Sequence, residues 1–556
     1  MRTRLAYILC LLALGAGACA RDDSPSADLI LFNGVVHATV DDRRPSALCV
    51  LGDRIVYVGD DEGAEAFRGK HTRSVDLGGN TVLPGLVDAH GHLDNLGRLL
   101  EDVDLTGTTS RADVLQRVRD KLVQAEPGAW IHGRGWDQND WQNTEFPTWR
   151  ELGGTEANPV YLDRVDGHAV WLNRTALDAA GITRATLDPP GGRIERDANG
   201  EPTGVLVDNA ENLVLEKIPP ATDADLDRRL ARAMAECNRL GLVGVHDAGT
   251  DPRVLASLRR LGQSGQLKLN IYSMLDSDMP AFVRAFFASG ASTEFGGRLI
   301  VRAVKLRADG ALGSRGAALL RPYDDDPANT GLLVDEPDSL YVWTRDALRA
   351  GFQVCTHAIG DGGNRVTLDA YQRALEEVPS PDARLRIEHC QVVDVSDLPR
   401  FAAMKVIASM QPTHATSDMP WAVKRIGEER LAGAYAWRTL LDSGAVLAFG
   451  SDFPVESVDP LWGLYSAVTR MDHAGQPAGG WRASEALSME QAVQAFTAGA
   501  AYAAFDDGDA GIIAVGKRAD LSVFNRDVFA VLPREILDTR CTMTIVRGVV
   551  VYEAAR

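Results

Sequence analysis

The chain has 556 residues, 45% hydrophobic and 24% charged, with a formal net charge of −19. That length excludes a single simple core and calls for one large domain with at least one smaller one. The composition is that of an ordinary soluble globular protein, and the acidic balance excludes a nucleic-acid partner, which would need basic surface.

At the N-terminus, Arg2 and Arg4 precede an apolar run from Leu5 to Ala18, followed by polar Arg21, Asp22, Asp23 and Ser24. This order predicts a signal peptide over 1–18, and the run is too short to span a bilayer comfortably. The residues AGAC ending at Cys19 match a bacterial lipobox, with Ala16 where leucine is usual. Cys19 is the expected lipidation site, which makes the protein an exported, membrane-anchored lipoprotein facing the periplasm. The alternative is cleavage after Ala20, which leaves a free periplasmic protein. No other stretch is long and apolar enough to cross a membrane. Beyond the leader, Cys49, Cys237, Cys355, Cys390 and Cys541 show no C-x-x-C spacing and read as small buried hydrophobes rather than a disulfide framework.

Short β-like runs with turn signals at Asn33-Gly34 and Gly52-Asp53 occupy 27–80, and the same style returns over 508–556. Both ends together predict one small β-sandwich domain. Between them, 81–507 alternates strands and helices. Eight apolar runs are strand candidates: 81–89, 242–249, 267–275, 298–310, 352–360, 383–391, 406–414 and 445–452. Helical patterns such as 229–241 and 364–378 lie between them. The expected fold is α/β, a (β/α)₈ TIM-like barrel. Its first connection, 93–241, is long and rich in tryptophan (Trp130, Trp136, Trp141, Trp149, Trp171), and reads as an insertion capping the barrel mouth.

Barrel enzymes keep their chemistry at the carboxyl ends of the strands. His90 and His92 end the first run, and residues two apart in an extended chain project to the same side, as a shared metal ion requires. Lys305, His357, His389 and Asp452 fall at or near the ends of runs four, five, six and eight. Other residues have two readings. His246 and Asp247 on run two and His414 on run seven either touch substrate or satisfy rim hydrogen bonds. His168 and Asp137 in the insertion contact substrate from above or are loop residues. Arg315 holds an anionic substrate group or is a surface arginine. Cys355 shares a strand face with His357, and packing accounts for it.

The motifs LPGLVDAHGHL, VKLRADGALGSR, THAIGDGG, IEHCQ and FGSDFPV resemble the amidohydrolase superfamily, and within it the family 3 branch that includes N-substituted formamide deformylase. The resemblance spans nearly the whole mature chain. It implies that His90, His92 and Asp452 bind one divalent ion, and His357 and His389 a second. Lys305 would bridge the two as a carboxylated lysine, formed with carbon dioxide. A free lysine is a cation without a lone pair, whereas a carbamate is an anion with two oxygens. The other reading of Lys305 is an ion pair with Asp309. Zinc is the expected metal, and manganese, iron or cobalt suit the same ligands.

The expected activity is metal-dependent hydrolysis of a non-peptide C–N bond (amide, N-substituted formamide or N-acyl) by a hydroxide that the metal generates, with Asp452 as general base and then acid. A small molecule is the expected partner. A Ser-His-Asp hydrolase is disfavoured, since no G-x-S-x-G elbow follows a strand. One alternative is a mononuclear deaminase or cyclic-amide hydrolase on the same barrel, against which THAIGDGG supplies Asp361 and no glutamate. An alternative of another class is a surface lipoprotein that binds a ligand without turnover.

Overall fold

The computed structural model describes residues 26–38, 44–165 and 168–555. The expected signal peptide and Cys19 lie outside the described residues. Eight parallel strands form the central sheet: β1 (Leu86–Gly91), β2 (Leu242–Thr250), β3 (Asn270–Asp276), β4 (Leu299–Arg307), β5 (Gln353–Ala358), β6 (Arg386–His389), β7 (Ile407–Met410) and β8 (Leu447–Phe449). They follow one another around the sheet in chain order, each hydrogen-bonded to the next. Strands such as β6, β7 and β8 are buried on both faces, which is why they appear as short apolar runs rather than as alternations. The fold is a nearly closed α/β barrel of the TIM type with additional sheets.

Between β8 and β1, closure rests on the residues just past the strands. The Asp452 amide donates to the His90 carbonyl (2.8 Å), and the His92 amide to that of Phe453 (3.0 Å). Buried Asp88 accepts the Ser451 hydroxyl (2.6 Å) and the amides of Ser451 and His90. Gly450 permits this approach, since a Cβ there would lie 2.5 Å from Asp88 Oδ1 and from the His90 nitrogen. The seam therefore fixes two candidate ligands against each other.

The apolar run 81–89 is divided. Thr81–Pro84 pairs with Val35–Val36 and Leu521–Phe524 in a five-stranded sheet that also contains Cys541–Val546 and Val549–Glu553. A four-stranded sheet (Arg54–Gly59, Ala47–Leu51, Leu29–Phe32, Arg73–Asp76) packs with it around Leu31, Leu48, Val82, Leu521 and Ile545. Both pieces of the run are buried, so hydrophobicity does not mark the break. At Gly85 a Cβ would meet Val243 at 2.4 Å.

After β1 the chain enters helix Leu93–Glu101, then a six-stranded sheet built from Val103–Asp104 to Pro202–Asp208. Helix Asp223–Arg239, opened by a Thr222–Asp225 capping box, brings the chain back to the barrel. Trp136, Trp141 and Trp171 are buried in the core of that six-stranded sheet, with ring centroids 5.9–6.1 Å apart.

Candidate metal centre

His90 is fully buried, and its Nδ1 lies 2.6 Å from Glu388 Oε2. A carboxylate only accepts, so Nδ1 carries the proton and Nε2 keeps its lone pair. That Nε2 has no hydrogen-bond partner and points to Asp452 Oδ1 at 3.6 Å. His92 Nε2 reaches the same oxygen at 3.1 Å. The H-x-H pair thus converges on one carboxylate oxygen, and the three residues have ligand atoms close enough to share an ion.

Across the barrel, the His389 ring lies 4.8 Å from that of His90 and 4.5 Å from that of His357. His389 Nδ1 is 2.8 Å from Gln411 Oε1, so the proton sits there and Nε2 faces inward. Strand alternation alone would turn His389 away from the side that Glu388 takes. Its φ of 78° breaks the alternation, and Asp452 is likewise left-handed at φ 61°. Non-glycine residues rarely accept this conformation, and such strain concentrates at functional sites.

Burial, reinforced by nearby Lys305, pushes His90 down to about 4 and His357 down to about 3. Burial also holds His389 well below the ordinary imidazole range. All three rings are neutral at pH 7 and able to donate lone pairs. Burial opposes ionisation of Asp452, but the His92 hydrogen bond and the His90 ring outweigh it and keep the carboxyl low. Lys305 is 4% exposed, and no described residue hydrogen-bonds to its amine. Burial lowers its pKa against the pull of Glu388 and Asp452. The Lys305–Asp309 pair does not form. Asp309 instead accepts backbone amides of Ala318, Ile359 and Gly360 at 2.8–2.9 Å, tying the loop after β4 to that after β5.

Of the weaker candidates, only His414 joins the cluster. It is buried, neither ring nitrogen has a hydrogen-bond partner, and Nε2 is 3.7 Å from Asp452 Oδ2. It sits in the first turn of helix Pro412–Arg430, since β7 ends at Met410 rather than running to 414. His246 points into the barrel beneath the cluster, bound to Arg386 Nη1 at 2.9 Å. Asp247 caps helix Leu93–Glu101 through the Leu93 amide at 3.0 Å. Arg315 makes a two-pronged contact with Asp325 at 3.0 Å. His168 is exposed and lies 2.8 Å from Asp208, and Asp137 pairs with Arg164 at 2.7 Å. Cys355 is packed inside the barrel. Asp361 anchors the Leu320 amide at 2.8 Å.

Sequence reasoning missed Glu388, Arg386, Asp88 and Ser451. A signal for the first two existed: Arg386 and Glu388 alternate with apolar neighbours in a strand otherwise reading as interior.

Buried imidazole nitrogens without partners are costly in a closed protein, at about 1–3 kcal/mol each. Those of His90 and His414 face the ionised Asp452 carboxylate, at 3.6 and 3.7 Å, and that of His357 lies 3.7 Å from Asp309 Oδ1. The donor set fits a divalent cation. A parallel α/β barrel with these groups at its strand ends defines the class of metal-dependent barrel hydrolases.

A profile described as the amidohydrolase family matches residues 73–552, and the chain belongs to that family. It is 34% identical over 497 residues to YtcJ of Bacillus subtilis (strain 168), named as an amidohydrolase, covering 88% of this chain and 92% of the relative. N-substituted formamide deformylase of Arthrobacter pascens is 27% identical over 545 residues, with 95% and 98% covered. A crystal structure of an uncharacterized metal-dependent hydrolase from Pyrococcus furiosus superposes with a TM-score of 0.75 at 30% identity, covering 90% of this chain and 99% of that one. The protein is an amidohydrolase, a hydrolase acting on carbon–nitrogen bonds.

Proposed function

We propose that this amidohydrolase cleaves a non-peptide C–N bond of an amide, an N-substituted formamide or an N-acyl compound at a centre for two zinc ions. The observation that carries this reading is the convergence of the buried, unpartnered nitrogens of His90 and His414 on Asp452, in a barrel interior that also buries Lys305. His90, His92 and Asp452 would hold one ion, and His357 and His389 the other. Lys305 would lie between them as a carbamate. Zinc bound there supplies Lewis acidity to a carbonyl oxygen and lowers the pKa of water from 15.7 toward about 7.

The chain's own residues handle the proton and the orientation. Asp452, ionised and facing four imidazoles, accepts the proton of the attacking water and returns it to the departing nitrogen. Glu388 and Gln411 fix which nitrogen of His90 and of His389 faces the centre. His414 is the residue best placed to touch substrate. Arg315 would have to leave Asp325 before binding an anionic group.

The purified mature enzyme is expected to hold about two zinc ions per chain, measured by elemental analysis. Chelation should abolish turnover and added zinc restore it, on a panel of N-substituted formamides, N-acyl amino acids, cyclic amides and esters. A metal content near zero would overturn the reading, and turnover of esters alone would overturn the assigned bond.

For location, the proposal is export with a lipid anchor at Cys19, supported by the basic and apolar leader and the AGAC junction. No helix among the described residues is long and apolar enough to cross a membrane. Cys19→Ala should release the enzyme from the membrane fraction of a bacterial host with unchanged kcat. Unchanged partitioning would favour a free periplasmic form or retention inside the cell.

A further inference from the structure

Below the candidate centre the barrel interior holds a charged pair. Arg386 and Glu388 are both inaccessible to solvent. The guanidinium donates to Glu388 Oε1 from Nε (2.8 Å) and to Oε2 from Nη2 (3.0 Å). It also donates to the Ala89 carbonyl (2.7 Å), Ser409 Oγ (2.9 Å) and His246 Nδ1 (2.9 Å). One side chain thus ties β1, β2, β6 and β7 together. Apolar residues of similar volume would fill this space without the desolvation cost of two charges. What the pair does that they cannot is present an ionised oxygen to His90 Nδ1 at 2.6 Å.

We infer that Glu388, held by Arg386, is a positioning residue that sets the tautomer of His90 and so keeps its Nε2 free for a metal ion. The inference rests on the reading of His90 as a ligand. Its force comes from the direction of every proton. Arg386 has only donors, and it occupies both Glu388 oxygens. A glutamine at this place has one acceptor for three donors: a carbonyl at the Oε2 position serves Nη2 and His90 Nδ1 but turns its NH₂ against Nε, and a carbonyl at the Oε1 position serves Nε alone. In the second placement the NH₂ faces His90 Nδ1 as well as Nη2, and it favours the tautomer with the proton on Nε2, the nitrogen the metal requires. Glu388→Gln is therefore more than the loss of a charge: it no longer fixes the tautomer of His90.

The test is zinc affinity of the mature protein, by competition with a chromophoric chelator, with far-UV circular dichroism to check folding. Glu388→Gln should weaken zinc binding about 10–100-fold, the usual range for a partner of a ligating histidine. Glu388→Asp, which keeps the anion, should recover most of it. Removing the guanidinium as well, in Arg386→Met/Glu388→Gln, frees the amide to turn its carbonyl to His90, so the double variant should bind zinc more tightly than Glu388→Gln alone. Wild-type affinity in Glu388→Gln, or a double variant weaker than the single one, would overturn the inference.

A measurement on the unmutated protein covers the case in which these variants do not fold. ¹⁵N-histidine spectra of the metal-free wild type should show His90 protonated at Nδ1, and protonation at Nε2 would overturn the proposal. Failure of the wild type itself to bind zinc would instead remove His90 as a ligand and the proposed function with it.

Discussion

Asp452→Asn is expected to fold, to retain at least one metal ion, and to lose kcat by about 10² or more, the typical worth of general acid–base catalysis. Asparagine is among the few residues that accept the left-handed backbone found here, at φ 61°. The backbone bonds that hold the position, from the Asp452 amide to His90 and from the Val455 amide to the Asp452 carbonyl, do not involve the side chain. The side chain faces His92, His90 and His414, at 3.1, 3.6 and 3.7 Å. Asparagine keeps the size and one acceptor oxygen but cannot take a proton from water, and it is a poorer metal ligand. Were Asp452 only a cap for the turn after β8, asparagine would replace it almost without loss. A kcat within a few-fold of wild type, with metal content unchanged, would assign it to that turn.

The barrel was legible because its strands are enclosed on both faces and leave continuous apolar runs, each ending where polar chemistry begins. His90, His92, Lys305, His357, His389 and Asp452 could be placed at strand ends from those runs alone. The break at Gly85 left no trace, since the strand on either side is equally apolar. Glu388 and His389 illustrate a different limit. Neighbours in a strand ordinarily face opposite ways, and it is the left-handed backbone at His389 that lets both reach His90. Nothing in the residue types announces that conformation at a histidine. The partners of Arg315 and His168 were hidden for another reason: Asp325 and Asp208 are brought to them by loop and sheet geometry, which periodicity does not describe.

Lys305→Ala is expected to lose at least one ion per chain and most of its turnover. Several kcal/mol of charge stabilisation go with an ion, so the fall in kcat/KM should be roughly 10²-fold or more. Among the described residues no ion pair accounts for the lysine. Asp309 is occupied by three backbone amides, and Glu388 and Asp452 are the carboxylates that act most strongly on the amine. Burial lowers the pKa of the amine, so its neutral, nucleophilic form is reached at lower pH than in water. Carboxylation would start from that form: its lone pair makes an N–C bond to carbon dioxide as one C=O π pair moves onto oxygen, one proton leaves the nitrogen, and the neutral amine becomes an anion with two oxygens. Alanine would leave unfilled the space that a carbamate on Lys305 would take. Formate, acetate or propionate supplied in solution should enter it and restore part of both metal content and activity. Rescue falling off as the acid outgrows the cavity would mark the space as that of a bridging carboxylate. Full metal and full turnover in the variant without any added acid would leave Lys305 as a barrel-interior residue and limit the centre to the ion held by His90, His92 and Asp452.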